Sequence, residues 1–312
     1  MSGDRHGRVH AAFWAAAVLL AGCGPTPAPP PTPQGSDVTF FFVADTHYGL
    51  SQWGDNEAPN KATIDRMNAL PGTPYPEATD LGEVAVPRGV LVGGDLSDSG
   101  IWFNWHGYRL LRPHDGFADD YGVSGEGRVA FPVYEGYGNH DIHNVRRKLV
   151  LCKIRQRNRQ RNDVRLSDNG LHYSWDWAGV HFVNLNLYPG GPGDAEDSLG
   201  FLREDLAQKV GDSRRRVVLY QHYNFDPWSR DWWEEAERDA FHEVARDYNV
   251  IAIFNGHTHA TDHLVWRGID VYTVGNARDA RFFVVHITPT RLVVVERHGD
   301  AWGAQWSKDL SD

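Results

Sequence analysis

The chain has 312 residues, of which 41% are hydrophobic and 23% are charged, a composition typical of a globular protein with a substantial core. Its formal net charge of −10 argues against non-specific binding to nucleic-acid backbones, because such binding depends on clustered Lys and Arg side chains. No segment of the sequence indicates a protein partner or an internal repeat.

Residues 1–22 are typical of a secretory signal. Arg5 and Arg8 give a positive start, and the apolar run that follows is too short to span a bilayer. The run ends in L-A-G-C, which resembles the lipobox of bacterial lipoproteins and implies cleavage before Cys23 and acylation of that residue. Gly24 resembles the pattern for outer-membrane sorting. We therefore predict an exported protein, lipid-anchored to the bacterial outer membrane on its periplasmic or cell-surface side; the alternative is an ordinary cleaved signal.

Residues 23–37 combine the acylated cysteine with a Pro-rich stretch that has no periodicity and favours an extended, semi-rigid spacer. Residues 38–312 are predicted to form a single domain that this tether holds away from the membrane. Cys152 is the only other cysteine. If Cys23 is acylated, no disulfide forms within the chain, and the domain depends on its core alone.

Runs of β-branched and aromatic residues predict strands at about 38–45, 88–95, 129–137, 172–177, 180–187, 215–221, 250–255, 269–274, 282–288 and 291–297. Helical periodicity predicts helices at about 59–70, 101–112, 144–158, 197–210 and 229–247. Strands alternate with helices in the first half and dominate the second, which favours two packed sheets with helices outside. The last two strands have the alternation of an antiparallel edge.

Five short motifs rich in Asp, Asn and His each follow a predicted strand. They are D-T-H at 45–47, G-D-L-S-D at 94–98, G-N-H-D at 138–141, a single histidine at 222, and G-H-T-H at 256–259. Each is weak evidence alone, since a lone histidine on an apolar strand is more often part of the core. Because open α/β sheets carry binding sites at strand ends, the five motifs together predict a metal site.

The order of these motifs resembles that of the calcineurin-like metallophosphoesterase superfamily, whose pattern is D-x-H, G-D-x-x-D, G-N-H-D/E, a single His and G-H-x-H. The serine/threonine protein phosphatase branch has Arg where Ser99 stands, and purple acid phosphatases lack the His of D-x-H. The branch that includes class III cyclic-nucleotide phosphodiesterases and many phosphatases fits better. The resemblance implies an α/β fold, a four-layer α/β/β/α sandwich of two mixed sheets with flanking helices.

The resemblance also implies two divalent metal ions held by seven side chains. The implied ligands of the first ion are Asp45, His47, Asp95 and His259. Those of the second ion are the shared Asp95 with Asn139, His222 and His257. Imidazoles with oxygen ligands suit Mn, Fe or Zn better than Mg or Ca. Since only two carboxylates face two divalent ions, the surplus positive charge favours a phosphate ester.

For catalysis, the resemblance implies attack on phosphorus by a hydroxide that bridges the two metals. His140 is not a ligand in the family pattern; it would protonate the leaving alkoxide or stabilise the transition state, and Asp141 would orient its ring. Asp98 is interpreted as the cap of a following helix rather than as a catalytic group. The remaining histidines are interpreted as core or surface residues, among them His106, His143 and His263.

Two features bear on the substrate. Residues 146–165 hold nine Lys or Arg and one acid, which fits recognition of a phosphate-bearing small molecule or lipid head group, although a solvated helix face is favoured. Six tryptophans lie near the motifs, where some would stack on a base or sugar, although core packing explains most of them equally well: Trp53, Trp102, Trp105, Trp228, Trp232 and Trp233.

Together these observations predict a metal-dependent phosphoric ester hydrolase, with a phosphomonoesterase slightly preferred. The alternative within the same chemistry is a phosphodiesterase acting on a cyclic nucleotide, a phospholipid head group or a nucleic acid, the last disfavoured by the acidic balance. The alternative from another class is a surface lipoprotein that binds a phosphorylated ligand without turnover.

Overall fold

The computed structural model describes residues 36–51, 54–98, 112–143 and 147–311. The predicted signal, Cys23 and most of the predicted tether lie outside these residues, as does nearly all of the helix predicted at 101–112. None of the helices in the described ranges has the length and apolarity that a membrane span needs.

The strands, in chain order, are β1 (Val38–Val43), β2 (Leu50–Ser51), β3 (Gly54–Asp55), β4 (Val90–Gly93), β5 (Val133–Gly136), β6 (Arg165–Leu166), β7 (Tyr173–Trp177), β8 (Val180–Asn184), β9 (Arg216–Tyr220), β10 (Asn249–Asn255), β11 (Asp262–Trp266), β12 (Ile269–Thr273), β13 (Arg281–Ile287), β14 (Arg291–His298) and β15 (Ala301–Asp309). The α-helices are α1 (Glu57–Ala69), α2 (Arg112–Asp120), α3 (Asn139–Ile142), α4 (Arg147–Asn158), α5 (Ser198–Asp205) and α6 (Glu235–Ala245).

Two mixed sheets contain all of these strands except the short hairpin β2–β3. The first sheet has the order β15-β14-β13-β1-β4-β5, and the second has the order β11-β12-β10-β9-β8-β7-β6. In the first sheet β1, β4 and β5 are parallel, and in the second β8, β9, β10 and β12 are parallel. The strands that precede the five motifs all belong to these parallel groups.

Strand β1 shows why the two sheets pack face to face. Its side chains alternate, and Phe40 and Phe42 point toward the second sheet, where the Phe40 ring lies 5.3 Å from Phe182 and 5.7 Å from Phe254. Phe41 points to the opposite face. Because both faces of β1 are buried, its sequence is apolar throughout rather than alternating, as expected for a strand in a parallel sheet.

Helices cover the outer face of each sheet and complete four layers. On the first sheet, Ile64 of α1 and Phe117 of α2 pack against the outward side chains of β1 and β4. On the second sheet, Ile154 of α4, Leu202 of α5 and Phe241 of α6 pack against β9 and β10. The predicted four-layer α/β/β/α sandwich of two mixed sheets is confirmed.

Three of the four edge strands of the two sheets, β6, β11 and β15, were not predicted. The segment 291–297 is not an edge, because β14 lies between β13 and β15. Strand β15 is the edge of the first sheet on this side and β11 is an edge of the second, and the side chains of both are partly or fully exposed. An edge strand buries little apolar surface, so its sequence carries a weak hydrophobic pattern. The one-turn helix α3 within the third motif was also not predicted.

Helix α6 begins later than its periodicity predicts. The segment 229–247 divides into a short 3-10 helix, Trp228–Asp231, and α6 proper. The break occurs because Glu234 has an extended backbone and its N–H donates to the Glu237 carboxylate at 3.2 Å, which caps the new helix. Within α6, Ala236 is exposed and Phe241 packs into the core.

The basic segment 146–165 is largely neutralised by acids from other elements. Arg157 and Arg161 of α4 and the following turn both bind Glu135 of β5, which is fully buried. Three further members of the segment pair with Asp or Glu residues: Arg147, Lys153 and Arg165. Five basic residues of the segment thus form structural ion pairs, while others, such as Lys148 and Arg159, are exposed on the helix face and turn as the sequence favoured.

Glu135→Gln is expected to lower the free energy of unfolding at pH 7 by roughly 3–5 kcal/mol, because it leaves two arginines without their buried carboxylate. Burial alone would raise the pKa of Glu135, but Arg157 and Arg161 outweigh it and lower the pKa to about 2. The stabilisation is therefore complete above about pH 4.5, the ordinary value, and is lost as the pH falls toward 2.

Urea unfolding at pH 7 and at pH 3 would measure this effect, and the difference between wild type and Glu135→Gln should shrink at the lower pH. Glu204→Gln is the matched control, since the exposed Glu204 carboxylate lies 3.0 Å from Arg165 and should contribute less than about 1 kcal/mol. Equal losses in the two variants would show that the buried ion pair does not stabilise the fold.

Candidate metal centre

The five motifs meet where the parallel strands of both sheets end. D-T-H follows β1, G-D-L-S-D follows β4, and G-N-H-D follows β5, all in the first sheet. The second sheet contributes His222 after β9 and G-H-T-H after β10. Hydrogen bonds join the sheets at this point: among them, the His257 N–H donates to Asp45 at 2.9 Å, and the His222 ring bonds the Gly93 carbonyl at 2.9 Å.

The first group of ligand-type side chains consists of Asp45, His47 and His259. The Nε2 atoms of His47 and His259 lie 3.0 Å apart, and Asp45 Oδ1 is 3.8 Å from the first and 3.5 Å from the second. Burial lowers the pKa of His47, which keeps its imidazole neutral and able to bind a cation. Three donor atoms therefore face one point.

The second group consists of Asp95, His222 and His257. His222 Nε2 lies 3.2 Å from Asp95 Oδ2 and 3.0 Å from Asn139 Oδ1. Since Nδ1 of this ring donates to the Gly93 carbonyl, the Nε2 lone pair faces two oxygen acceptors. Such an arrangement is stable only with a proton or a cation between them.

The protonation of the second group follows from burial and charge. Burial opposes protonation of His222, but the Asp95 carboxylate outweighs it and raises the pKa to about 9. Burial opposes ionisation of Asp95, but the charge of His222 and its hydrogen bond hold the pKa of Asp95 well below its ordinary value. Burial lowers the pKa of His257 to about 4, so this ring is neutral. Binding of a divalent cation by His222 would release this proton, because a metal ligand must be deprotonated.

The backbone of the motifs is strained in the way that functional sites often are. Five of the predicted ligands have positive φ angles between 45° and 73°: Asp45, His47, Asp95, His257 and His259. Two motif glycines permit this packing, because a Cβ at Gly138 would collide with the Asp95 carboxylate and one at Gly256 with the Asp45 carboxylate. The glycines of G-N-H-D and G-H-T-H are thus required by close approach.

His140 lies beside both groups and is partly exposed. Its backbone N–H donates to Asp95 Oδ1 at 2.8 Å, and its ring Nδ1 lies 3.5 Å from Asp98 Oδ1. Burial opposes protonation of His140, but the Asp98 and Asp95 carboxylates raise its pKa to about 9. His47, Asp98 and His140 form a third group of ligand-type atoms. This contact of Asp98 was not predicted; the role of Asp98 as a helix cap stays a prediction, since residues 99–111 lie outside the described part of the chain.

Asp141 holds the loops of the site together. Its carboxylate accepts hydrogen bonds from the backbone N–H groups of Leu96, Ser97 and Gly138 and from the Ser97 hydroxyl, at 2.8–3.1 Å. Burial and the charge of Asp95 raise its pKa to about 6. The Asp98 carboxylate lies within ion-pair distance of the His140 ring, so the orienting role predicted for Asp141 has Asp98 as a second candidate.

The other histidines and the tryptophans lie partly at the surface, partly in the core and partly beside the site. His143 binds Asp194 at 2.9 Å, and His263 binds Asp270 at 2.8 Å. Trp233 is buried in the core. Trp228 and Trp232 instead lie against His257 and are exposed. His106, Trp53, Trp102 and Trp105 lie outside the described residues.

The side chains of the site fit divalent metal ions. Asp45 Oδ1 and His257 Nε2 are buried and have no hydrogen-bond partner among the described residues, which buried polar atoms rarely tolerate. The donors are imidazole nitrogens with carboxylate and amide oxygens, a mixture that suits Mn, Fe or Zn. All seven predicted ligands lie in or against the first two groups; their individual roles as ligands stay predictions.

A family model described as calcineurin-like phosphoesterase matches residues 38–261. The chain belongs to this family. The match begins at β1 and ends just after the G-H-T-H motif, so it contains both ligand-type groups and all five motifs. The calcineurin-like phosphoesterase family acts through divalent metal ions, in agreement with the donor atoms of the site.

Solved structures of low sequence identity share the fold of this phosphoesterase. A dimetal phosphatase from Danio rerio aligns over 88% of this chain and 99% of its own, with a TM-score of 0.60 and 15% identity. GAP50, described as the anchor in the inner membrane complex of Plasmodium, aligns over 88% of this chain and 89% of its own, with a TM-score of 0.54 and 10% identity. At these identities the likeness concerns the fold alone.

A curated relative matches a part of the phosphoesterase. Purple acid phosphatase 15 from Arabidopsis thaliana is 32% identical over 99 residues, which make up 30% of this chain and 18% of the plant protein. The chain therefore spans less than a fifth of that relative's length. The family match and the two ligand-type groups together identify residues 38–261 as a calcineurin-like phosphoesterase domain with candidate metal-binding groups.

Proposed function

We propose that the protein is a dinuclear-metal phosphomonoesterase. The supporting observation is the position of Asp95, whose buried carboxylate oxygen lies 3.2 Å from His222 Nε2 in one group and 3.9 Å from His47 Nε2 in the other. A carboxylate shared between two sets of imidazoles is suited to bridging two ions. Two bound ions would supply an acidified water and polarise the phosphoryl oxygens.

The residues around Asp95 would bind the two ions and supply a proton. Asp45, His47 and His259 would hold one ion, and His222, His257 and Asn139 the other, with Asp95 between them. Two ligand carboxylates against two divalent ions leave a surplus of positive charge, which favours the more highly charged phosphate monoester over a diester. His140, partly exposed beside both groups, would donate its proton to the leaving alkoxide.

Initial rates on 4-nitrophenyl phosphate and on bis(4-nitrophenyl) phosphate test this proposal, after the protein has been reconstituted with Mn, Zn or Fe. We expect metal-dependent hydrolysis, with the higher kcat/KM on the monoester. A higher value on the diester would overturn the monoester assignment and favour a phosphodiesterase. Phosphate binding without hydrolysis of either ester, with all three metals, would indicate a ligand-binding protein instead of an enzyme.

A further inference from the structure

Two exposed tryptophans form a wall beside the metal centre. Trp228 and Trp232 are 55% and 39% exposed, which is unusual for such large apolar side chains. The Trp228 ring is nearly parallel to the His257 ring, with 14° between the planes and 5.0 Å between the centroids. Trp232 stands almost perpendicular to both rings, 4.5 Å from Trp228 and 5.5 Å from His257. The planes of the two tryptophan rings therefore meet almost at a right angle beside His257.

The local structure fixes this exposure. Asp226 accepts hydrogen bonds from the N–H groups of Trp228 at 2.8 Å and Ser229 at 3.2 Å, and from the Ser229 hydroxyl at 2.5 Å, which holds the 3-10 helix. Trp233, immediately after the pair, is buried against Phe225 at 4.8 Å. Since the segment is anchored at both ends, the two tryptophans are held at the surface, where exposed apolar area is unfavourable.

The shape and position of the wall suit a flat aromatic ring. Stacking of a base or aryl ring on tryptophan is favourable and tolerant of ring type, because every such ring has a π face. The wall contacts His257, a member of the second ligand-type group, so a ring resting on it would belong to the group esterified to the bound phosphate.

A membrane surface is the competing partner for exposed tryptophans. Two observations disfavour it. The chain carries a formal net charge of −10, which repels anionic lipid surfaces. The Trp228 ring also lies flat on a histidine of the metal centre, an orientation that an interfacial anchor does not require.

We propose that Trp228 and Trp232 bind a flat aromatic ring, a nucleobase or an aryl group, carried on the leaving group of the phosphate ester. This inference rests on the proposed phosphomonoesterase function, whose substrate class it narrows. The wall would hold the ring while the phosphate occupies the metal centre, so the ring would contribute to kcat/KM through orientation as well as affinity.

The test compares esters that differ in the ring. Adenosine 5′-monophosphate and 1-naphthyl phosphate represent the two ring sources, and ribose 5-phosphate is the ring-free reference. We expect the wild-type, metal-loaded full chain to prefer a ring-bearing ester, and Trp228→Leu to reduce the ratio of kcat/KM between ring-bearing and ring-free esters by about 10- to 100-fold. The control Leu149→Ala alters an exposed apolar residue of α4 and should leave the ratio unchanged.

Vesicle sedimentation and equilibrium dialysis complete the test. A wild-type protein without preference, or an unchanged ratio in Trp228→Leu, would overturn the inference. Lower sedimentation of Trp228→Leu with phosphatidylcholine vesicles, together with an unchanged ratio, would overturn it in favour of a membrane contact. If no ester is hydrolysed, the proposed function fails; equilibrium dialysis of adenosine against ribose, in wild type and Trp228→Leu, then decides whether the wall binds a ring.

Discussion

Asp95→Asn is expected to lower kcat/KM on a phosphate ester by about a thousandfold, or ~4 kcal/mol, and to reduce the number of bound divalent ions. The carboxylate is buried and lies within 4 Å of a histidine in each ligand-type group. Asparagine has almost the same shape, tolerates the positive φ of 51°, and keeps an oxygen for the His140 N–H. The variant therefore removes charge and little else.

Asp80→Asn is the matched control, because Asp80 also has a positive φ, of 54°, and is exposed. We expect this variant to keep wild-type activity and metal content. Metal stoichiometry by plasma mass spectrometry and the melting temperature of each variant separate loss of ions from loss of fold. Full activity of Asp95→Asn with two bound ions would show that the shared carboxylate is not needed and would remove the basis of the proposed function.

The fold could be predicted to the extent that burial shapes local sequence. Strands β1, β9 and β10 are buried on both faces, so their apolar runs stand out clearly. Strand β15 is an edge with mostly exposed or half-exposed side chains, and nothing in its local pattern separates it from a loop. The start of α6 depends on a capping contact between Glu234 and Glu237, which interrupts a periodicity that continues on both sides.

The convergence of the motif residues at the strand ends could be predicted, but the contacts that they make there could not. Motif order places Asp45, Asp95 and His222 at strand ends, and a resemblance to known enzymes brings those ends together. The 3.5 Å approach of Asp98 to His140 depends on the path of the G-D-L-S-D loop, which no local pattern encodes. The ion pairs of the basic segment could not be predicted for the same reason, since Glu135 reaches Arg157 and Arg161 only after β5 and α4 have packed.

His140→Ala is expected to lower kcat by roughly 10²–10⁴-fold while the protein keeps its metal ions. The ring lies beside both ligand-type groups, its side chain is 36% exposed, and Asp98 faces its Nδ1. A partly exposed ring in this position can contact a bound substrate, which a fully buried ring could not. His143→Ala is the matched control, because His143 lies three residues along the chain, binds Asp194 and is similarly exposed. We expect a much smaller loss in that variant.

The leaving group distinguishes proton donation from simple charge stabilisation by His140. An alkyl phosphate releases a strongly basic alkoxide that needs a proton, whereas 4-nitrophenyl phosphate releases a stable anion that does not. A proton donor therefore predicts a larger loss in His140→Ala on glycerol phosphate than on 4-nitrophenyl phosphate, and Asp98→Asn should show the same selectivity to a smaller degree. Equal losses on both esters would assign His140 to stabilising charge, and a loss of bound metal would assign it to the third ligand-type group, with His47 and Asp98.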